Sequence, residues 1–313
     1  MHPTINNKLL TINGFPMYKI IQTRKWWISI SLLFITVSIV TLSTRGLSLG
    51  LDFTGGSLME VRYPGVRPSL EQIQQQLQSL AIKNLTVQPS DADKYLLRAE
   101  SIDETTHQAV LTTLRGSDLK SVDELRFDSI GPTIGKELQT KATWAIVAVI
   151  FAIIIYLTYA FRKVTKPVPS FQYGFAAAVA LVHDVIICLG AFAFVALFTG
   201  WQADSLLVTA LLTVLGFSVH DTIVTFDRLR ENLRHHQIGI FEEVMNTSIN
   251  QTIVRSLNTS LTTLLVAVAI ILFGGESVRP LAFVMAVGII VGTYSSIFIA
   301  SPILLWASRR YIK

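Results

Sequence analysis

Six long apolar segments limit what this chain can fold into more than any other feature of its sequence. They cover residues 26–42, 142–161, 173–198, 205–226, 256–273 and 280–306. A helix needs about 20 mostly apolar residues to cross the hydrocarbon core of a bilayer. The chain is 51% hydrophobic and only 15% charged, which argues against a soluble protein. We therefore predict a membrane protein with six transmembrane helices.

Two of these segments need a closer look. The strongly apolar part of the fifth, SLTTLLVAVAIILF, has only 14 residues, so it spans a membrane only if the preceding SLNT joins the helix. The first segment resembles a signal peptide in length, but the following TLSTRGLSLG offers no A-x-A-like cleavage site. We interpret it as an uncleaved anchor.

Lys and Arg residues stand beside alternate ends of the predicted helices, and basic short loops stay on the cytoplasmic side of a membrane. This pattern predicts that residues 1–25 and 307–313 are cytoplasmic. The loops TGWQAD and GGESVRP, predicted to lie outside, contain one basic residue between them, Arg279. The net charge of +5 is spread over these flanks and does not indicate a nucleic-acid partner. The flanking basic residues are Lys8, Lys19, Arg24, Lys25, Arg162, Lys163, Lys166, Arg228, Arg230, Arg234, Arg309, Arg310 and Lys313.

Residues 43–141 are polar and predict a folded domain on the outer side. The stretches SLMEVRY, NLTVQ, KYLLRAE and LRFDSI have the composition of strands. RPSLEQIQQQLQSLAI and DETTHQAVLTTLRG predict helices, the first beginning with a capping box at Ser69 and Gln72. The order β-α-β-β-α-β is typical of the ferredoxin-like α+β fold, which hosts many functions.

Two features of this domain allow more than one interpretation. His107 lies on the second helix, and we favour a surface residue over a metal ligand. The Gly55-Gly56 pair of GLDFTGG could bind an anion, but no helix follows it to supply a dipole, so we favour a turn.

Three positions interrupt the apolar pattern of the spans. Asp184, preceded by His183, is 11 residues past Tyr173, roughly 16 Å along a helix and close to the membrane midplane. Asp221 lies in the cytoplasmic half of the fourth span, and Arg255 stands just before the fifth. Ionisable residues inside a membrane usually face other helices and often mark ion pathways.

We expect Asp221 and Arg255 to pair, because their depths are comparable. A carboxylate beside an arginine could hold or release a proton as the helices move. The alternatives are that Asp221 lies at a frayed helix end, that Arg255 reaches lipid phosphates, and that His183 and Asp184 only hold helices together. Asp227, Arg228 and Glu231 fit a solvated, ion-paired helix end.

The connection 227–255 contains an amphipathic stretch, IGIFEEVMNTSINQTIVRSLNTS, which predicts a helix along the cytoplasmic interface before the fifth span. Small residues in the spans permit close helix packing, and Gly288 and Gly292 form a small-xxx-small pattern. Gly174 and Ala178 are of the same kind. The only cysteine, Cys188, fits a small apolar helix residue.

Five blocks resemble the SecD/SecF family of protein-export membrane proteins along essentially the full chain. They are GLDFTGG at 50, GPTIGKEL at 131, HDVIICLG at 183, GFSVHDTIVTFDRLREN at 216 and INQTIVRSLNTSLTTLL at 249. The last two are long and specific. The resemblance implies a six-helix half of a transporter of the resistance-nodulation-division superfamily, in the bacterial inner membrane.

That resemblance also implies partners and residue roles. The expected partners are SecD, the SecYEG channel, the translocating preprotein and, indirectly, the motor ATPase SecA, with the proton-motive force driving movement after ATP-driven pushing. Asp221 matches the proton-relay aspartate of the family, Arg255 its partner arginine, and Thr259 a hydroxyl of the same relay. His220 departs from the Asn that the family commonly has there; it could join the relay or face lipid headgroups, and we favour the second.

The chain has no Walker-type loop and no catalytic triad, so we predict that it is not an enzyme and needs no cofactor or metal. Two other functions stay open. An independent efflux transporter would share the intramembrane carboxylates but should show an internal duplication with two outer domains. A passive scaffold of the translocon would need no titrating carboxylate.

Overall fold

The structure is a computed structural model that describes residues 11–12, 15–16, 18–90, 92–116, 122–162, 168–235 and 241–308. The chain divides into two compact units. The helical unit comprises Met1–Ser48, Trp144–Trp201 and Ser205–Lys313, and the α+β domain comprises Leu49–Thr143 and Gln202–Asp204. Part of the predicted orientation depends on residues outside the described ones: Lys8, Lys163, Lys166, Arg309, Arg310 and Lys313.

Six helices of the described chain are long and apolar enough to cross a membrane, which confirms the six predicted spans. A pair of two-residue strands, β1 and β2, precedes them at Thr11–Ile12 and Phe15–Pro16. The sixth span is an α-helix that continues through a π-helical turn, Ser296–Ala300, into a last α-helix. The helices are α1 (Arg24–Arg45), α5 (Pro132–Ala160), α6 (Ser170–Thr199), α7 (Ser205–His235), α8 (Phe241–Phe273), α9 (Arg279–Ser295) and α10 (Ser301–Ser308).

The fifth span differs from its prediction. α8 is one continuous helix of 33 residues, so the predicted interfacial helix of the connection 227–255 is not a separate element. The physical reason is that residues 241–273 contain neither Gly nor Pro, so nothing interrupts the ladder of backbone hydrogen bonds between the amphipathic and the apolar part. The SLNT stretch is helical, as the span requires.

Close packing at small residues organises the helical unit. A Cβ atom on Gly288 would lie 2.2 Å from Val214 Cγ2, and one on Gly292 would lie 2.8 Å from Ser218 Cβ. This confirms the small-xxx-small pattern as a contact of α9 with α7. A Cβ on Gly174 would approach the carbonyl of Ile154 to 2.8 Å, so α6 meets α5 in the same way. Cys188 is buried and free, as expected.

The α+β domain has the predicted element order. Its antiparallel sheet has the order β4-β5-β3-β6, with the first and third strands of the β-α-β-β-α-β unit in the centre, which is the ferredoxin-like arrangement. Helix α3 begins with the predicted capping box of Ser69 and Gln72. Apolar side chains of both helices pack on the sheet. The elements are β3 (Gly56–Arg62), α3 (Leu70–Gln78), β4 (Thr86–Pro89), β5 (Lys94–Ala99), α4 (Glu104–Arg115) and β6 (Asp123–Ile130).

GLDFTGG forms a turn, as favoured from the sequence. One helical turn, α2 (Leu51–Thr54), is followed by Gly55 and Gly56, whose φ angles of 71° and 121° are strained for any other residue. A Cβ on Gly56 would also lie 2.7 Å from the carbonyl oxygen of Ala99. The glycine pair therefore serves the entry into β3.

The prediction of a surface position for His107 is wrong. Its side chain is only 6% exposed, because residues 107, 110, 111 and 114 form the stripe of α4 that faces the sheet. The ring stacks on Phe127 at 3.8 Å, and its Nε2 lies 2.8 Å from Glu124 Oε1. Its Nδ1 lies 3.2 Å from the Glu104 carboxylate. Among the described residues, no group of three or more His, Cys, Asp or Glu could hold a metal ion.

Candidate functional site

Helix α7 places Asp221 inside the helical unit. The side chain is 3% exposed and faces α9, since Ser218, Asp221, Thr222 and Thr225 form one buried stripe at helical spacing. This burial excludes a position at a frayed helix end. A polar group so buried needs hydrogen-bond partners, and the partners come from neighbouring helices.

A threonine of α9 supplies the partner of Asp221. Thr293 Oγ1 donates to Asp221 Oδ2 at 3.3 Å, and the same hydroxyl is hydrogen-bonded to Ser260 of α8. Ser256 of α8 lies on the same buried face as Ser260. Ser256 Oγ is buried and has no hydrogen-bond partner in the described chain. Asp221 thus lies among hydroxyl groups at the junction of α7, α8 and α9.

The expected ion pair of Asp221 and Arg255 is not formed in this chain. Arg255 is exposed, and no contact within ion-pair distance joins the two described side chains. The reason is the direction of the side chain: Thr252, Ser256 and Ser260, spaced by four, form the buried face of α8, and Arg255 precedes Ser256 by one residue, about 100° around the helix. Thr259 is half-buried on the flank of that face.

His183 and Asp184 form a second buried polar site. Asp184 is 0% exposed and His183 is 4% exposed. His183 Nδ1 lies 2.9 Å from Asp184 Oδ1, while Ser218 and Ser295 donate to Asp184 Oδ2 at 2.5 and 2.9 Å. The Nε2 atom of His183 is buried and has no hydrogen-bond partner among the described residues. The carboxylate therefore joins α6, α7 and α9.

His220 does not enter either buried site. Its side chain is exposed, although the next residue on the same helix, Asp221, is buried. The alternative favoured from the sequence, a histidine that faces lipid headgroups, stays a prediction.

The charged end of α7 has the predicted ion pairs. Arg228 pairs with Glu231 at 2.5 Å, and Arg230 pairs with Asp227 at 3.5 Å, all near the end of the helix. Arg228 also donates to Gln251 of α8 at 2.5 Å. These partly exposed pairs are distinct from the buried site around Asp221.

The serines and the threonine around the two carboxylates were missed by sequence analysis. Ser and Thr are common in membrane helices, where their hydroxyls often bond to a carbonyl of their own helix. Thr36, Thr41 and Thr213 do this here. The spacing of four between Thr252, Ser256 and Ser260 is the one signal that could have indicated a polar stripe.

Two family models match the chain. The model of the SecD/SecF protein export membrane protein, C-terminal region, matches residues 106–310, and the SecD/SecF GG motif matches residues 40–63. The first covers more than half of the chain. The chain belongs to the SecD/SecF family. Its relatives place it on the SecF side of that family.

The curated SecF relatives match nearly end to end. Protein translocase subunit SecF of Anaerolinea thermophila is 40% identical over 94% of this chain and 96% of the relative. SecF of Thermobaculum terrenum is 38% identical over 95% of this chain and 96% of the relative. Full-length agreement at this identity extends the family assignment to all six spans and the α+β domain.

A solved SecDF structure has the same fold. The crystal structure of SecDF, a translocon-associated membrane protein from Thermus thermophilus, superimposes with a TM-score of 0.76 at 30% identity and covers 96% of this chain. A super-membrane-facing form of SecDF gives a TM-score of 0.66. This chain spans 40% of the length of the first SecDF chain. The match confirms a helical membrane protein with one α+β domain.

Proposed function

We propose that this chain is an accessory subunit of the Sec protein translocase that acts with a SecD partner. In this function the pair uses the proton-motive force to promote preprotein movement through SecYEG, after ATP-driven pushing by SecA. The likeness to translocase subunits SecF over almost the whole chain supports the export part. The SecDF name of the structural neighbour, of which this chain spans two fifths, supports the SecD partner.

One observation carries the proton part of the proposal. Asp221 is a carboxylate at 3% exposure within a membrane-spanning helix, and it accepts a hydrogen bond from Thr293 of α9. A lone buried carboxylate strongly favours its neutral form unless it is paired, so its charge can change with the environment that the helices provide. Asp221 is therefore the proposed proton carrier, and Thr293 takes the contact expected of Arg255 within this chain.

Arg255 and Thr259 are proposed to act in the relay only when this chain is assembled with SecD. Arg255 lies on an exposed part of α8 beside the apolar side chains of Val254 and Leu257. An arginine in such surroundings requires a counter-charge or a polar partner. The proposed partner is the other half of the transporter, whose approach would complete the relay.

The proposed location is the bacterial inner membrane, with both termini in the cytoplasm. Among the described residues, the positive-inside rule supports this orientation through Lys19 before α1, Arg24 and Lys25 in the first turn of α1, and Arg228 and Arg230 near the end of α7. The α+β domain between α1 and α5 then lies on the outer side.

The test is gradient-driven export by the complete translocase in membrane vesicles. We expect Asp221→Asn to abolish the dependence of late-stage translocation on the proton gradient, while ATP-driven initiation continues. Asp227→Asn is the matched control, because it makes the same change at a largely exposed position of the same helix. Normal, gradient-sensitive export by Asp221→Asn would refute the proton part and leave a passive scaffold.

A further inference from the structure

The buried pair of His183 and Asp184 has no role in the function proposed above. The side chains of the pair are 4% and 0% exposed, and no Lys or Arg lies within ion-pair distance of Asp184 in the described chain. Burying an uncompensated carboxylate is costly, so such a group is held by hydrogen bonds or by a proton. Both of its oxygens are in fact engaged: one by the imidazole and one by two hydroxyls.

The imidazole leaves a proton-accepting position open. In its neutral form, His183 donates Nδ1–H to the Asp184 carboxylate, and Nε2 is then an acceptor with no partner in the described chain. In that form the pair carries a charge of −1. Adding one proton, to either residue, makes the pair neutral, and burial favours the neutral state over the charged one.

The other titratable groups that face this pair are few. Tyr294 of α9 stacks on the imidazole at 6.4 Å, but its hydroxyl is already bonded to Trp27 and Ser31 of α1. Cys188 lies one turn further along α6, and Asp221 lies three residues past Ser218 on α7. The buried polar groups that α1 contributes to the bundle are Ser31 and Ser38, neither of which titrates.

The same two helices hold Asp184 and Asp221. Asp184 binds α7 through Ser218 and α9 through Ser295, while Asp221 belongs to α7 and accepts from Thr293 of α9. Both contacts thus depend on how α7 and α9 lie against each other. Gly292 sets the distance between α7 and α9, because it lets α9 approach Ser218 without a side chain between them.

The π-helical turn after α9 adds a point at which this contact can change. Ser296 of the turn donates to the carbonyl of Ser218 at 3.1 Å and is paired with Thr222 at 2.8 Å. π-helical turns inside α-helices occur often at functional sites. Loss of the extra residue of such a turn would change the register of the helix. Such a change would move Ser295 and Thr293 together.

From this geometry we propose that His183 and Asp184 form a second proton-binding site, coupled to Asp221 through the contacts of Ser218 and Ser295 between α7 and α9. A proton on Asp184 Oδ2 competes with the two hydroxyls that now donate to that oxygen. The contact of α7 with α9 then relaxes, and the environment of Asp221 changes with it. The inference deepens the proposed proton-driven function, but proton binding at Asp184 is measurable without export.

The test is an infrared titration of the full-length chain in lipid nanodiscs, following the C=O stretch of buried carboxylic acids. We expect two titrating signals in the unmodified chain. Asp184→Asn removes one and changes the proton affinity at Asp221 by about 5- to 150-fold, the usual range of coupling between sites. Asp221→Asn changes the affinity at Asp184 by the same factor, because coupling is reciprocal.

Two variants that leave both carboxylates in place test the inference if Asp184→Asn fails to fold. His183→Gln should shift the Asp184 signal without removing a carboxylate, and Ser295→Ala should reduce the coupling while both signals persist. Ser308→Ala is the control, because this buried serine donates only to the carbonyl of Leu305 in the described chain. An Asp184 signal that does not titrate, or an Asp221 affinity that is unchanged in the Asp184 and His183 variants, overturns the inference. If Asp221→Asn leaves export normal and gradient-sensitive while the two titrations remain coupled, the proposed function is refuted and the second proton-binding site is not.

Discussion

The hydroxyl of Thr293 donates a hydrogen bond to the carboxylate of Asp221 across the contact of α9 with α7, with 3.3 Å between the two oxygens. The same hydroxyl is bonded to Ser260, so Thr293 connects three helices at one point. A hydroxyl can both donate and accept, and it therefore serves an ionised as well as a protonated carboxylate. An exchange of protons at Asp221 must rearrange this connection.

Thr293→Val should therefore impair gradient-driven export while the subunit still assembles. The isosteric valine removes the donor to Asp221 but keeps the volume, and the loss of such a hydrogen bond costs about 0.5 to 1.5 kcal/mol. Thr293→Ser is the matched control and should retain most of the activity. The rate of late-stage translocation at fixed gradient measures both. Equal rates for Val and Ser would show that the hydroxyl has no part in the relay.

Arg255 should behave differently in the isolated chain and in the assembly. Within this chain it is exposed and makes no ion pair with Asp221, so Arg255→Gln should leave the infrared titration of Asp221 unchanged. In the complex with a SecD partner, the same variant should shift that titration and slow export. The comparison of the two preparations is the measurement. A shift in the isolated chain would mean that Arg255 reaches Asp221 without a partner.

The sequence predicted how deep each site residue lies in the membrane, but not on which side of its helix the side chain lies. Counting residues from the helix ends placed Asp184, Asp221 and Arg255 along the membrane normal, because the rise per residue is constant. It could not predict which side of α8 faces α7 and α9. One residue of rotation, from Ser256 to Arg255, separates a buried hydroxyl from an exposed guanidinium.

The α+β domain was more predictable because its signals are local. The capping box of Ser69 and Gln72 and the apolar stripe of α3 lie within one helix. His107 was missed because its burial depends on Phe127 and Glu124, which come from a strand far along the chain. Glu124 supplies the polar partner of Nε2, the ring nitrogen that Glu104 of the same helix does not reach.

Gly288→Ala should destabilise the helical unit. Its Cβ would lie 2.2 Å from Val214 Cγ2 and 2.9 Å from Val214 Cβ, so rotating the valine side chain cannot remove the clash. Overpacking of this kind costs about 1 to 3 kcal/mol. Gly216→Ala is the control, since a Cβ there meets nothing within 4 Å, and it should stabilise the helix by about 0.5 to 1 kcal/mol. Thermal unfolding in one detergent compares them, and equal melting temperatures would contradict the tight α7–α9 contact.

Two neighbouring tyrosines of the α+β domain should respond in opposite ways to loss of the hydroxyl. Burial raises the pKa of Tyr63 to about 12, so its phenol stays protonated at neutral pH, and its hydroxyl has no partner in the described chain. Tyr95, 6.1 Å away between ring centroids, donates to the carbonyl of Pro68 at 2.7 Å. Tyr63→Phe should be neutral or stabilising, and Tyr95→Phe should cost about 1 kcal/mol. Chemical denaturation of the full chain measures the free energy of unfolding of both variants. A larger loss of stability for Tyr63→Phe than for Tyr95→Phe would contradict the prediction.

The first turn of α4 should lose stability at acid pH. Asp103 caps this helix: Thr105 Oγ1 donates to its carboxylate at 2.5 Å and the amide of Thr106 donates at 3.0 Å. Hydrogen bonding from Thr105 first, and then from the side chain and the amide of Thr106, lowers the pKa of Asp103 from 3.8 to about 2. A carboxyl group with a lowered pKa stabilises the fold above its ordinary pKa, and this contribution disappears as the pH falls through about 2.

Hydrogen exchange of α4 in the full chain, corrected for the intrinsic rate at each pH, measures this loss. Protection should fall between the ordinary pKa of 3.8 and about 2 in the unmodified chain. Asp103→Asn keeps a good helix cap but cannot titrate, so its protection should be lower above this range and independent of pH within it. Glu71→Gln is the control, because hydrogen bonds from its own backbone and from Ser69 lower the pKa of Glu71 at the start of a different helix, α3. A decline at α4 that persists unchanged in Asp103→Asn would assign the acid sensitivity to another group.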